Sequence, residues 1–386
     1  MSKLKKFLKC ILIILALVIT LFVGAILGII WYDFFDIYGL TLYSGEAIAD
    51  TYHYEERVWF VTEGGKVYAA GEYNQTDSRT YRNSEFTDYG KWGTPIPILI
   101  YDRGVKKLVP YSHMGTLIIS DDGELYNSYD MSFRRLAENI SDAYYDPYDK
   151  NIYAVKHDGS LYLINENKKI ADSILAVKAY RGRVFVLTKD SDLCELVYDR
   201  CNDSYFLTNA IFEDVQAFDI LDTTKRYYEG KHVYDDPDAL ATPMITVLTN
   251  SGNLYIKGAY TYLHTFTDDP ANPRVFKEWQ LIGEDVNEFS TAPMGTVMMR
   301  EDGTGKYFGF GLTEFSESKL TFGSTELSVN GITDVYASDF GVYVRCGDKY
   351  CSWGSIFGNY FIRYTDQQEC DVFGDEPNVV SFPTDN

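Results

Sequence analysis

Along most of the chain, short apolar runs alternate with polar clusters, and seven of those clusters sit in the same frame. RVWFVTEGGKVYAAG begins at Arg57, GTLIISDDGELY at Gly115, NIYAVKHDGSLY at Asn151 and RVFVLTKDSDLC at Arg183. MITVLTNSGNLYIKG at Met244, GTVMMREDGTGKYFGFG at Gly295 and GVYVRCGDKYCSWG at Gly341 complete the set. Each joins a run rich in β-branched residues to an apolar–aromatic pair through a short polar or glycine turn, the pattern of a β-hairpin. Two-residue turns are the expectation, with Asp-Gly or Ser-Gly supplying the positive φ angles. Another short strand precedes each hairpin, as in AIADTY at Ala47, ISDAYY at Ile140, VQAFDI at Val215 and VNEFST at Val286. The turn positions Gly65, Gly123, Gly159, Ser191, Gly252, Gly303 and Asp348 lie 32 to 61 residues apart, and their average of about 47 falls in the range of propeller blades. Seven units of three or four strands predict an all-β fold over residues 47–386, a seven-bladed β-propeller ectodomain.

The pattern breaks at the N-terminus. Residues 11–31, ILIILALVITLFVGAILGIIW, carry no charge and are long enough as a helix to span a bilayer. The run exceeds a signal-peptide core and lacks a small-x-small cleavage pair, which argues for an uncleaved anchor. Lys3, Lys5, Lys6 and Lys9 precede it, while Asp33 and Asp36 follow. The positive-inside rule then predicts a cytoplasmic tail (1–10), a single transmembrane helix (11–31), a juxtamembrane linker (32–46) and an extracytoplasmic domain at the plasma membrane. The lipid bilayer is the expected partner of residues 11–31. Ala16, Thr20, Gly24 and Gly28 recur every fourth residue along that helix, a candidate face for a homodimer.

The repeat frame also carries a family resemblance. Strand, Asp-Gly turn, apolar-Tyr, then Gly or Trp-Gly, preceded by a V-x-x-V-like strand, resembles the regulator of chromosome condensation repeat. Residues 64–75 and 347–359 match it best, with Trp353-Gly354 and Gly358-Asn359 similar to the family's W-G-x-N loop. The likeness extends over about residues 47–383. The family's G-Q-L-G segment is missing throughout, and the fourth repeat has Ser191-Asp192 where a glycine is usual. What the resemblance implies is the propeller fold. The family's best-known member acts on a nuclear GTPase and chromatin, partners that an acidic anchored ectodomain does not fit, so none of those binding residues carries over. Secreted bacterial proteins with this fold bind proteins through a propeller face, which by analogy makes protein binding the expected role.

Charge supports that exclusion. The formal net charge is −21, and setting aside the four N-terminal lysines leaves 31 basic against 56 acidic side chains. Such a body repels phosphate backbones, so no nucleic acid is expected as a partner. In an up-and-down sheet the hairpin turns lie on one face and the remaining connections within each blade on the other. The long excursions 72–96, 222–243 and 259–277 therefore share the face away from the hairpins, and the chain's arrival at the hairpin face predicts that the long loops look away from the membrane. Those loops supply the candidate ligand-binding residues: Tyr73, Tyr81, Tyr89 and Trp92, then Tyr227, Tyr228 and Tyr234 beside Asp235, Asp236 and Asp238, then Tyr260, Tyr262 and His264. Tyrosine and tryptophan offer large contact area at low entropic cost, which suits recognition of a protein or surface polymer. Residues 378–382, NVVSF, are expected to supply the outermost strand that closes the ring onto the first blade.

No nucleophile elbow, zincin, phosphate-binding loop or dinucleotide fingerprint occurs, and the five histidines do not recur at ligand spacing. Neither an enzyme, a cofactor nor a metal site is expected. The alternatives are a propeller lyase or hydrolase acting at the central channel, or a structural subunit of a membrane assembly. Outside the anchor lie Cys194, Cys201, Cys346, Cys351 and Cys370, an odd number. Cys194/Cys201 and Cys346/Cys351 are close enough in sequence to bridge, and small buried apolar residues are the equal alternative.

Overall fold

The structure is a computed structural model of the chain and describes residues 48–54, 57–73, 92–111, 115–129, 132–221, 243–260, 274–310, 322–337, 341–347, 349–354 and 378–381. The chain divides into two units, Met1–Tyr43 and Ser44–Asn386. The first lies outside the described residues, and with it the expected membrane helix and the face of Ala16, Thr20, Gly24 and Gly28. Among the described residues, no helix is long and apolar enough to cross a membrane.

Among its described residues the second unit is all-β apart from one 3-10 turn (Ile164–Glu166), and the strands pair as seven four-stranded antiparallel sheets. The first holds β1 (Ile48–Tyr54), β2 (Arg57–Thr62), β3 (Val67–Tyr73) and β4 (Trp92–Tyr101). The second holds β5 (Val105–Pro110), β6 (Gly115–Ser120), β7 (Leu125–Tyr129) and β8 (Ser132–Ala137). The third is β9 (Ile140–Asp146), β10 (Asn151–Lys156), β11 (Leu161–Leu163) and β12 (Lys168–Ala171). The fourth is β13 (Ile174–Tyr180), β14 (Arg183–Thr188), β15 (Leu193–Asp199) and β16 (Ser204–Leu207). The fifth comprises β17 (Val215–Leu221), β18 (Met244–Thr249), β19 (Leu254–Tyr260) and β20 (Arg274–Gly283). The sixth comprises β21 (Val286–Ala292), β22 (Gly295–Arg300), β23 (Thr304–Phe310) and β24 (Phe322–Asn330). The last is β25 (Asp334–Ala337), β26 (Gly341–Cys346), β27 (Lys349–Gly354) and β28 (Asn378–Ser381).

The first strands of successive sheets lie against one another from β1 to β25. Arg345 on β26 donates from its guanidinium to the Ala49 carbonyl on β1 at 2.7 Å, so the contacts run in a cycle. This is a β-propeller with the first strands innermost. One expectation needs correction. β28 does not close onto the first sheet; it lies beside β27, with Val379 opposite Cys351, and β4 is the first sheet's own outer strand. Pairing within a sheet satisfies the strand without a join between the ends of the chain.

Burial explains why the second strands read as unbroken apolar runs. Sheets stack face to face, so a strand near the axis is covered on both sides: β6 and β18 are buried at every position. The outer strands β20 and β24 have one wet face and show mixed exposure. Separate apolar clusters fill the gaps between neighbouring sheets. Val155, Leu161, Val177 and Val186 pack between the third and fourth, and Val297, Val335, Val344 and Trp353 between the sixth and seventh.

The hairpin turns differ from expectation in one respect. Six of them have three-residue loops rather than two, as in Asp121–Asp122–Gly123. Gly123 N donates to Ser120 O at 2.9 Å, and Ser120 N to Glu124 O at 2.9 Å. This is a type I turn followed by one left-handed residue, so a single positive φ suffices. Gly65, Gly123, Gly159, Gly252 and Gly303 occupy that position, and Ser191 takes it at φ 65°. The residue before four of these loops is a buried Thr or Ser whose hydroxyl accepts a further bond, from the backbone N–H just after the loop: Thr62 from Lys66 N, Ser120 from Glu124 N, Thr188 from Asp192 N and Thr249 from Asn253 N. Only the last hairpin, with Cys346 opposite Lys349, has the two-residue loop; Asp348 lies outside the described residues.

These turns also join one sheet to the next. The carbonyls of five of these left-handed turn residues accept the N–H that opens the following inner strand or its approach: Ile140 to Gly123 (2.8 Å), Ile174 to Gly159 (2.9 Å), Val215 to Ser191 (2.7 Å), Val286 to Gly252 (2.8 Å) and Ile332 to Gly303 (3.0 Å). The residue just before each of these, Asn139, Ser173, Asp214, Asp285 and Gly331, is itself left-handed, as is Gly104 at the first junction. Most of their carbonyls accept in turn from the next hairpin loop, for example Asn139 from His157 N at 2.9 Å and Ser173 from Lys189 N at 2.8 Å. The outcome is a belt of backbone hydrogen bonds running around the hairpin face.

At the first junction the belt leaves no room for a side chain: a Cβ on Gly65, at φ 73°, would sit 2.7 Å from Gly104 Cα. Gly65→Ala is expected to destabilise the fold by about 2 kcal/mol, combining left-handed strain with a backbone clash. Ser191→Gly, which relieves strain at the same position of the fourth hairpin, should be neutral or stabilising by up to ~1 kcal/mol. Urea midpoints of the two variants check both signs.

Candidate functional site

Two regions concentrate side chains with chemistry. One is the face opposite the belt. Every connection between first and second strands, or between third and fourth, emerges there because antiparallel strands alternate direction. Stretches 74–91, 222–242, 261–273, 311–321 and 355–377 all leave from this face and lie outside the described residues. Tyr81, Tyr89, Tyr227, Tyr228, Tyr234, Tyr262 and His264 fall within them. Tyr73 and Trp92, expected in a loop, end β3 and begin β4 and stand directly opposite each other, at the root of the first excursion.

Tyr260 is corrected. It is the last residue of β19, opposite Arg274, and fully buried. Its ring packs near Phe308 (6.1 Å between centroids) and Phe322 (5.8 Å) of the sixth sheet. Its hydroxyl and Thr296 Oγ1 are hydrogen-bonded at 2.6 Å, and burial raises its titration. Thr296 in turn bonds Thr291, which donates to Thr246. Tyr260 is therefore a pillar under the third excursion, holding the fifth sheet to the sixth, and its ring is closed to a ligand. The preference of a large ring for the gap between sheets outweighs its nearness in sequence to a loop.

The other region is the ring of inner strands, which the sequence reasoning did not single out. Each inner strand has a neighbour on one side only, so its other edge presents N–H groups that need acceptors. Side chains from the preceding sheet supply them. Asp142 on β9 is buried, and its Oδ2 accepts Val177 N of β13 at 2.9 Å. Its Oδ1 meets Lys107 Nζ of β5 at 2.5 Å, so one carboxylate joins three sheets. Ser290 Oγ accepts Ala337 N at 3.0 Å, Glu288 accepts Val335 N, and the Tyr52 oxygen accepts Leu108 N. Counted from the start of each inner strand, these acceptors sit at the third and fifth positions. That periodicity is the one signal by which the sequence displays them.

Charges on this ring perturb one another. Burial works against the Lys178 ammonium, but Asp219 (3.0 Å), the Tyr144 hydroxyl and Asp142 outweigh it and hold the lysine above its usual range. Between β21 and β25, Glu288 and Asp334 share a hydrogen bond. Burial, then the hydrogen bond and charge of Asp334, then Asp50, push Glu288 up to about 8, and burial raises Asp334 as well. A proton held between two carboxyls lets them sit together away from water. Next to them the Tyr52 hydroxyl is raised by burial and by Asp50, to which it donates. Among the described residues, no group of three or more His, Cys, Asp or Glu is arranged to hold a metal ion.

No protein-family model matches the chain, and no curated protein matches it. Among solved structures, it is similar to the computationally designed Ika8 protein, at 12% identity over 82% of this chain and 86% of that one, with a TM-score of 0.45. It is similar to human WBSCR16 at 11% identity, over 89% and 83%, with a TM-score of 0.44. Saccharomyces cerevisiae Prp20p, the yeast RCC1, is similar at 12% identity over 87% and 77%, with a TM-score of 0.44. At these low scores the architecture rests on the pairing of the chain's own strands.

Two outcomes follow from the inner ring. Asp142→Ala removes the acceptor of Val177 N and the partner of Lys107, and is expected to cost about 2 kcal/mol in a denaturation midpoint. Glu288 binds its proton more tightly folded than unfolded, so its contribution to stability is complete below about pH 4.5 and declines as pH rises toward about 8. Glu288→Gln, which keeps the neutral form, should flatten that decline when urea midpoints are compared across the interval.

Proposed function

We propose that this chain is a membrane-anchored, extracytoplasmic recognition module that binds a protein or surface polymer through the loop face of a seven-bladed β-propeller. The observation that carries this reading is the sorting of its connections. On the belt face they are short and tied by backbone hydrogen bonds, as at Asn139, Ser173 and Asp285. The five long excursions all leave from the other face. Variable loops on a rigid scaffold are where binding residues concentrate. The stretches carry Tyr81, Tyr89, Tyr227, Tyr228, Tyr234, Tyr262 and His264, the side chains expected of a recognition surface. Anchoring through residues 11–31, with the N-terminus cytoplasmic, rests on the apolar run and the lysines before it.

A channel-centred enzyme is the weaker reading. Asp142 and Glu288 already cap backbone N–H groups of the next sheet, which accounts for their positions without a substrate.

Photo-crosslinking on the full-length chain in host membranes tests the proposal. A benzophenone amino acid at Tyr89, Tyr234 or Tyr262 should yield adducts several-fold above one placed at Asp122 or Lys189 of the belt. Equal or stronger capture at the belt positions sinks the loop-face reading. Release of the chain by alkaline carbonate sinks the anchor.

A further inference from the structure

We propose that Cys346 and Cys351 are this chain's oxidation site, an intramolecular disulfide that staples the hairpin of the last sheet. β26 and β27 pair with Cys346 opposite Lys349 and Val344 opposite Cys351. Antiparallel partners share a face, and alternate residues along a strand return to it, so the two cysteines project to the same side at diagonal positions. Both pack against the apolar cluster between the sixth and seventh sheets, Cys351 buried within it and Cys346 half-buried at its margin. The diagonal of a flat ladder lies at the outer limit of disulfide reach. Here the two thiols, free in this structure, lie within hydrogen-bond reach of each other.

The other pair that sequence proximity offers is separated by the fold. Cys194 is buried near the start of β15, while Cys201 is exposed beyond its far end. Five strand steps separate Cys194 from Asp199, roughly 17 Å by rise alone, too far to bridge.

The chemistry is thiol–disulfide exchange with a small or protein disulfide as oxidant, the class found in the extracytoplasmic setting proposed above. The Cys346 thiolate, the more accessible, attacks one sulfur of the oxidant, forming a mixed disulfide and releasing one thiolate. The Cys351 thiolate then attacks the Cys346 sulfur and expels the second. Two protons and two electrons leave the protein, and one oxidant disulfide becomes two thiols. Burial raises the Cys346 thiol above its ordinary range, which makes the first step slow at neutral pH. Such a bond sets once after export and serves as a staple, since rapid redox sensing needs an acidic thiol.

Its location gives the bond consequence. Arg345, adjacent to Cys346, makes the contact to Ala49 that links the last sheet to the first. β27 carries the bond's other end and also pairs with β28, which the chain reaches only after residues 355–377. A covalent link across β26 and β27 therefore braces the sheet that completes the cycle of contacts.

The test uses full-length protein extracted without reductant, incubated with oxidised glutathione, blocked with iodoacetamide and digested with trypsin. Cleavage after Arg345 and Lys349 puts the two cysteines on separate peptides held only by the disulfide. The expected result is a joined species, lighter than the two free peptides by two hydrogens, that separates on treatment with dithiothreitol and is missing from Cys346→Ser. Reduction should also lower the thermal midpoint of the wild-type chain and leave that of Cys346→Ser unchanged. Alkylation of both cysteines after oxidation, or a link from either to Cys201 or Cys370, overturns the proposal. An unchanged wild-type midpoint overturns the stapling role.

Discussion

The carbonyl of a hairpin-turn residue accepting the N–H that opens the next inner strand is the interaction on which this architecture depends. It recurs from Gly123 to Gly303 with little variation in length. It demands a left-handed residue at the turn and another just before each inner strand, and the chain meets this with Gly, Asn, Asp and Ser, which tolerate that conformation. Apolar contacts between sheets are strong but non-directional and would allow neighbours to slide. The backbone belt fixes their relative height, and so fixes which side chains meet between sheets.

That constraint divides the molecule into two unlike faces. Any insertion on the belt side would break bonds to two neighbouring sheets at once. An insertion on the opposite side disturbs only the strands it connects. The length of the excursions after β3, β17, β19, β23 and β27 reflects this asymmetry. It also explains Tyr260: at the root of an excursion the chain still belongs to the core, and a ring there holds the fifth sheet against the sixth.

The inner strands pose a second problem, and polar chemistry solves it. A strand edge without a ladder partner needs acceptors, and Asp142, Glu288, Ser290 and Tyr52 provide them from the preceding sheet. Buried carboxyls and raised titrations often mark catalytic centres, but these features arise equally from edge capping. Asp142 illustrates the point: one carboxylate meets Lys107 and Val177 and so ties three sheets together, a structural duty that accounts for its burial.

The repeated hairpins, the strand before each and the direction of every connection were legible in the sequence, because turn geometry and the double-sided burial of second strands leave local signatures such as VTEGG, ISDDG and LTNSG. The assignment of long excursions to one face follows from strand alternation alone. Other features were decided only by the tertiary structure. The three-residue form of most turns depends on a single left-handed residue whose carbonyl must reach the next sheet. The pairing of β28 with β27, the burial of Tyr260 and the convergence of Glu288 with Asp334 all depend on neighbours distant in the chain. Short-range pattern specifies the repeated unit because the unit is held by local geometry. What lies between units is set by which faces and edges meet, and that is known only once the sheets are stacked.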